Sequence, residues 1–115
     1  MVTYVLPYIT IRIKQYIDVD GSSPFDKWFW GLNSVAAAKI TKAVYKLELG
    51  NFSTVESVGG GVYEQKIDFG PGYRVYFGKD GNEIIILLCG GTKKRQSNDI
   101  AEAKVYWQDY KKRKK

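Results

Sequence analysis

Apolar residues recur along this chain with two periods, and the chain turns where the period changes. Ile9, Ile11 and Ile13 alternate strictly with Thr10, Arg12 and Lys14, a pattern that predicts a half-buried first strand. Asp18 to Ser23, with Gly21 inside it, breaks that pattern. Ser23 then reads as an N-cap, with Pro24 at the first helical position and Asp26 in the capping-box place. Phe25, Trp28, Phe29 and Leu32 follow at i, i+3, i+4 and i+7, which is one apolar face of a helix. Trp30 falls off that face and is a candidate for a partner surface. Asn33-Ser34 separates this helix from a second, Val35 to Leu49, ended by Gly50 as its C′ residue. Its apolar stripe is Ile40, Val44 and Leu47, with Ala36, Ala37 and Ala43 allowing close approach. Lys39, Lys42 and Lys46 form the outer, solvated stripe. Two helices joined so tightly make an αα-hairpin, expected to lie across one face of a sheet.

From Val62 onward the period becomes two. Ser53 to Val58 reads as a short strand, with Gly59-Gly60-Gly61 a mobile joint before Val62 to Phe69. Gly70-Pro71-Gly72 is a tight turn. Tyr73 to Lys79 puts Tyr73, Val75 and Phe77 on one face, with Arg74 and Tyr76 on the other. Asp80-Gly81 is the two-residue type I′ hairpin signal. Ile84 to Cys89 is apolar without interruption, as suits a central strand covered on both faces. These turns predict an antiparallel meander. Gly90-Gly91 then opens into Thr92-Lys93-Lys94-Arg95, read as a flexible basic loop suited to an anion. Ser97 or Asn98 can cap a last helix carrying Ile100, Lys104, Trp107 and Lys111 along one line. The fold class is therefore α+β: an N-terminal strand, an αα-hairpin, an antiparallel meander and a C-terminal helix.

Composition narrows the classes. At 115 residues, with 44% hydrophobic and 15% aromatic content, the chain is one folded domain over 1–115. One cysteine excludes an internal disulfide framework, and Cys89 reads as a buried thiol in a reducing compartment. No apolar run reaches the ~20 residues of a membrane span, and the start lacks the marks of a signal peptide. A cytoplasmic protein is expected. The net charge of +6 is concentrated at one end: residues 1–92 balance nine basic with nine acidic groups, whereas residues 93–115 set nine basic against three acidic. The basic tail at about 108–115 suits either solubility or a polyanion such as RNA.

There is no histidine. Imidazole metal sites, Ser-His-Asp triads and paired-histidine ribonuclease chemistry are therefore excluded, and neither a metal nor a cofactor is expected. What remains is a basic surface. Lys66 shares a strand face with Glu64 and Asp68, and pairing across the Gly70-Pro71-Gly72 turn brings Lys66, Asp68, Arg74 and Tyr76 together. Lys93 and Lys94 reach the same surface from the end of the next strand. Cleavage of RNA by its own 2′-hydroxyl needs a proton acceptor, positive charge on the phosphorane and a donor for the 5′-oxygen. Arg74 supplies charge but is a poor base; a lysine base needs cationic neighbours or desolvation. Tyr76 is placed to donate a proton or stack on a base. The plainer readings are a cross-strand ion pair for Lys66 and a salt bridge from Arg74 to Asp68 or Glu64.

Three segments, Leu47 to Phe52, Gly70 to Phe77 and Leu87 to Lys93, resemble the phage-derived addiction-module killer proteins of the RelE/HigB-like toxin superfamily. The resemblance covers residues 24 to 104, in that family's order and spacing. It implies a RelE-like fold and an mRNA-cleaving endoribonuclease acting in the ribosomal A site. It also implies a cognate antitoxin that blocks the site or displaces the C-terminal helix, and a toxin–antitoxin complex that binds operator DNA through the antitoxin. Carried onto this sequence, the catalytic set is Arg74, Lys66, Lys93 and Lys94; Tyr76, Arg95 and Lys104 are expected to contact RNA. Two departures stand out. The family's downstream tyrosine has no match, with Asp99 near its place, and the lead-in from Tyr8 to Ser23 is longer than usual. The competing reading is a non-catalytic module that binds RNA or an antitoxin.

Overall fold

The computed structural model describes residues 11–114, so the Ile9-Thr10 part of the expected first strand lies outside the described residues. Within them the order is β1 (Arg12–Gln15), α1 (Pro24–Trp30), α2 (Ser34–Glu48), β2 (Val55–Gly59), β3 (Val62–Ile67), β4 (Tyr73–Asp80), β5 (Ile84–Thr92) and α3 (Gln96–Arg113). A single 3-10 turn at Lys93–Arg95 joins β5 to α3. The sheet order is β1-β5-β4-β3-β2. Strands β2 to β5 form the antiparallel meander, and β1 adds to β5 in parallel.

Local chemistry accounts for the αα-hairpin. Ser23 Oγ accepts from the Asp26 N–H at 3.0 Å, and Asn33 Oδ1 accepts from the Ala36 N–H at 2.9 Å, so each helix start has its side-chain cap. Phe25 is buried, and Trp28, Phe29 and Leu32 pack with it against Ile40, Leu47, Val75, Phe77 and Leu87. Trp30, off that face, is 76% exposed. The opposite sheet face carries Val62, Tyr76, Ile86, Leu88 and Cys89, and α3 covers it through Ala103 and Trp107. Because helices cover both faces, six consecutive residues of β4, Tyr73 to Gly78, are buried.

The joints differ from the sequence reading in five places, one of them the start of α3, which begins at Gln96 after Arg95 with no side-chain cap where Ser97 or Asn98 was expected to supply one. Asp80 pairs with Ile84, so Gly81-Asn82-Glu83 is a three-residue loop; Gly81 alone has positive φ, where a type I′ turn needs two such residues. Gly59 ends β2 opposite Val62, and Gly60-Gly61 form the turn between them, not a loose joint; all three have positive φ and lie against Lys104 and Trp107. Gly90 and Gly91 belong to β5. They are there for packing: a methyl at Gly90 would stand 2.6 Å from Trp28 Cδ2, and one at Gly91 would stand 2.8 Å from Asp99 Cγ. The basic end is helical through Arg113 and tied down, with Arg113 bonded to Asp109 and Lys114 to Asp80.

Candidate functional site

In the β3–β4 register Lys66 stands opposite Arg74, and in the β4–β5 register Arg74 stands opposite Gly91. Side chains at cross-strand positions share a face, so Lys66 and Arg74 are neighbours on the face that α3 covers. The Lys93 N–H donates to the Gly72 carbonyl at 2.7 Å, which brings the 3-10 turn down onto the β3–β4 turn. A Cβ built on Gly72 would lie 3.3 Å from Lys93 Cβ and 3.4 Å from Arg74 Nη1. Lys66 and Arg74, from one hairpin, and Lys93, from the turn after β5, therefore gather at one end of the sheet.

Arg74 is held in place. Only 8% exposed, it sets Nε 3.7 Å from Glu64 Oε1 and donates from Nη1 to its neighbour's carbonyl, Tyr73 O, at 3.2 Å. The other Glu64 oxygen accepts from Gln96 Nε2 at 2.6 Å, so α3 clasps the pair. Lys66 pairs with Glu56 at 3.4 Å, and both are well exposed. Such surface pairs contribute about 0–1 kcal/mol, too little to keep Lys66 from a polyanion. Each plain ion-pair reading is thus realised, with Glu64 rather than Asp68 as the partner of Arg74. Lys93, Lys94 and Arg95 are exposed, which leaves a lysine base without desolvation.

Two expected RNA contacts are placed elsewhere. Tyr76 is completely buried beneath α3, so its ring is closed to a base. Among the described residues its hydroxyl makes no well-formed hydrogen bond, although the Glu64 carboxylate lies beside it, and burial, followed by the Glu64 and Asp99 carboxylates, pushes its pKa up. Lys104 lies over the Gly59-Gly60 turn, at the far end of β3 from Lys66. Alternation correctly placed Tyr76 with Arg74, but it did not reveal which helix closes that face.

One residue on the site face escaped assignment. Asp99, in the first turn of α3, has a side chain only 9% exposed, and its Oδ2 is buried with no hydrogen-bond partner among the described residues. Among the described residues its ion-pair partner is Arg95, with Nε 3.9 Å from Oδ1. Burial pushes the carboxyl pKa up, Arg95 opposes this, and Glu102 adds to it. Asp99 lines a pocket of about 330 Å³ with Trp28, Gly90, Gly91, Thr92 and Arg95. The usable sequence signal was Gly91, since a bare position opposite Arg74 leaves room for something above it.

A larger groove of about 490 Å³ lies between α2 and the β2–β3 edge, and Lys39, Lys42, Lys46 and Lys66 line it together with Glu56 and Asp68. The outer lysine stripe of α2 therefore leads toward Lys66. Among the described residues no group of three or more carboxylates and thiols lies close enough to hold a metal ion. None of the helices among them is long and apolar enough to cross a membrane.

The chain matches no protein-family model. It is 40% identical over 102 residues to an uncharacterized protein of Haemophilus influenzae, across 88% of this chain and 97% of that protein. The two belong to one family. An alignment of 102 residues leaves few of the 115 outside it, so β3 to β5 and the start of α3 fall within the region the family shares.

Proposed function

We propose that this protein is the toxin of a type II toxin–antitoxin module, a RelE-like endoribonuclease that cleaves mRNA on the ribosome. The observation that carries this reading is the meeting of Lys66, Arg74 and Lys93 at one end of one sheet face. Three cations converging from three segments suit a phosphodiester whose negative charge grows in the transition state. Arg74, fixed by Glu64, is preorganised, whereas Lys66 and Lys93 keep exposed ammonium groups for the strand. The lysine-lined groove beside α2 offers a continuation for the backbone of a bound RNA.

So spare a set needs its substrate held in register, and a ribosome-bound mRNA satisfies that requirement. The cognate antitoxin would be acidic where it meets the basic end of the chain, and the pair would work in the cytoplasm. Burial of Tyr76 and the ion pairs of Lys66 and Arg74 favour one second reading, a module that binds RNA or antitoxin without cutting. Induced expression in a bacterial host separates the two. Cleavage predicts growth arrest with new mRNA 5′ ends inside translated reading frames within minutes. Growth arrest with intact mRNA would instead support binding alone.

A further inference from the structure

We propose that the pocket at the bare end of β5 takes one unpaired base of the RNA, with its ring between Trp28 and Arg95. The inference rests on the reading above that this chain handles RNA, and adds a site for a base to the cationic end of the sheet.

The sheet leaves this place open. β1 stops at Gln15, opposite Leu87. From there β5 runs on to Thr92 with β4 on one side and, among the described residues, no strand on the other. The bond from the Lys93 N–H to the Gly72 carbonyl makes Tyr73–Thr92 a non-hydrogen-bonded pair. Pairs alternate along an antiparallel ladder, so Gly91 exchanges its bonds with Arg74. Gly90 therefore turns both its N–H and its C=O to the open edge, and Thr92 turns its N–H there.

The pocket of about 330 Å³ sits at that edge, and its walls come from opposite sides of the sheet. A Cβ on Gly90 would meet the Trp28 ring, and one on Gly91 would meet the Asp99 carboxylate. Trp28 of α1 thus stands on one side of β5, and Asp99 of α3 on the other. A cavity bordered by both lies beside the strand, across its edge, and not over either face.

That arrangement suits a flat ring with polar edges. In the plane of the sheet it meets backbone donors and an acceptor. Out of the plane it meets an indole on one side and a guanidinium on the other, the two kinds of group on which unpaired bases stack. Trp28 is only partly buried, and the Arg95 side chain is 65% exposed, so both can be reached. Asp99 acts through Arg95: its Oδ1, 3.9 Å from Nε, gives the guanidinium its place on the wall. Its Oδ2, closed in against Gly91, takes no part. The volume is at the low end of the ~300–1,000 Å³ of ligand sites, room for one ring system. Two outward-facing residues are too few for an added peptide strand, which usually runs to about five or six.

Binding is tested apart from cutting by using 2′-O-methyl RNA, which lacks the attacking hydroxyl. A labelled 2′-O-methyl pentaadenylate is compared with the same five-unit backbone made of abasic residues. Both are titrated by fluorescence anisotropy into the full chain, wild type and Arg95→Ala, at one salt concentration. Wild type should bind the abasic backbone roughly 5- to 150-fold more weakly than pentaadenylate. Arg95→Ala should lose most of that difference. The indole N–H resonance of Trp28, assigned with Trp28→Phe, should move with pentaadenylate and stay still with the abasic backbone. Equal binding of the two oligomers by wild type, or no binding of either, would overturn the inference. So would an Arg95→Ala loss of the same proportion for both oligomers, the mark of a phosphate contact, or an unmoved Trp28 resonance. AMP binding as tightly as the pentamer would overturn it too, by making the pocket a site for a free nucleotide. If the base is gripped as expected while mRNA on programmed ribosomes stays whole, the inference stands and the cleavage reading alone falls.

Discussion

Gly90 is the position where two accounts of this chain part most cleanly. Read as the hinge of a flexible anion loop, it should tolerate alanine with a loss of ligand binding and no loss of stability. The structure makes it a floor for the Trp28 ring. A methyl in the Gly90→Ala variant would stand 2.6 Å from Cδ2 and closer still to Cε3 and Cζ3. Carbon atoms rest at about 3.5 Å or more, so the ring must retreat by roughly 1 Å or more. It has little freedom to do so, being set against Phe25, with centroids 5.8 Å apart, and edge-on to Tyr73 at 6.2 Å. Overpacking of this kind costs about 1–3 kcal/mol. Gly90 does not have a positive φ, so alanine recovers ~0.5–1 kcal/mol of backbone entropy. The steric term wins, with a net loss of about 1–2 kcal/mol, or roughly 5–15 °C in Tm for a domain near this size. Urea unfolding of wild type, Gly90→Ala, Trp28→Leu and the double variant forms the cycle. The double variant should be less destabilised than the sum of the singles, because the smaller side chain leaves room for the methyl. Gly90→Ala with wild-type stability, or strictly additive losses, would refute the packing argument.

Other consequences are as direct. Tyr76→Phe deletes a buried hydroxyl that makes no well-formed hydrogen bond among the described residues and lies beside the Glu64 carboxylate, so its urea midpoint should stay level or rise, and cleavage should persist; a fall in either would show that the hydroxyl is used. Tyr16 donates to Asp109 at 2.6 Å, tying the segment after β1 to α3. The Tyr16 bond, ahead of Arg113, holds the Asp109 carboxyl below its usual range, whereas burial and Asp109 push Tyr16 up to about 12. The depressed acid adds stability that is present above its unfolded pKa and lost as pH falls below about 4. The raised phenol adds stability that is present below about 10 and lost as pH climbs past it. Tm measured across pH should therefore sag at both ends in wild type, and less so in Tyr16→Phe.

Much of the fold could be read along the chain because its signals are local. Ser23-Pro24, Asn33 and Gly50 bound the two helices, and alternation in β4 divides Val75 and Phe77 from Arg74 and Tyr76. What stayed hidden depends on contacts between distant segments. Parallel addition of β1 to β5 follows from where the αα-hairpin crosses, which no residue in β1 announces. The bulge at Leu88 puts both Leu88 and Cys89 toward α3 and sends Gly90 to Trp28 and Gly91 to Asp99. Glycine composition alone cannot distinguish such close packing from a loop. For the site, the basic triad was visible as residue types on expected strand faces. The covering by α3, which buries Tyr76 and encloses Asp99, was not, because the amphipathic stripe of a helix does not name its partner.

The central claim is that Arg74 and its neighbours cut RNA. Replacing Arg74 alone would strand the buried Glu64 charge, at a cost of about 3–5 kcal/mol, and would confuse folding with function. The informative protein is the paired variant Arg74→Gln with Glu64→Gln, which removes both charges together and leaves neither unpaired in the interior. Purified wild type and this variant would be added to ribosomes programmed with an mRNA, and the new ends mapped and their chemistry determined. The account predicts 5′-hydroxyl and 2′,3′-cyclic phosphate ends within the reading frame for wild type and none for the folded variant. Equal cleavage by both would contradict it.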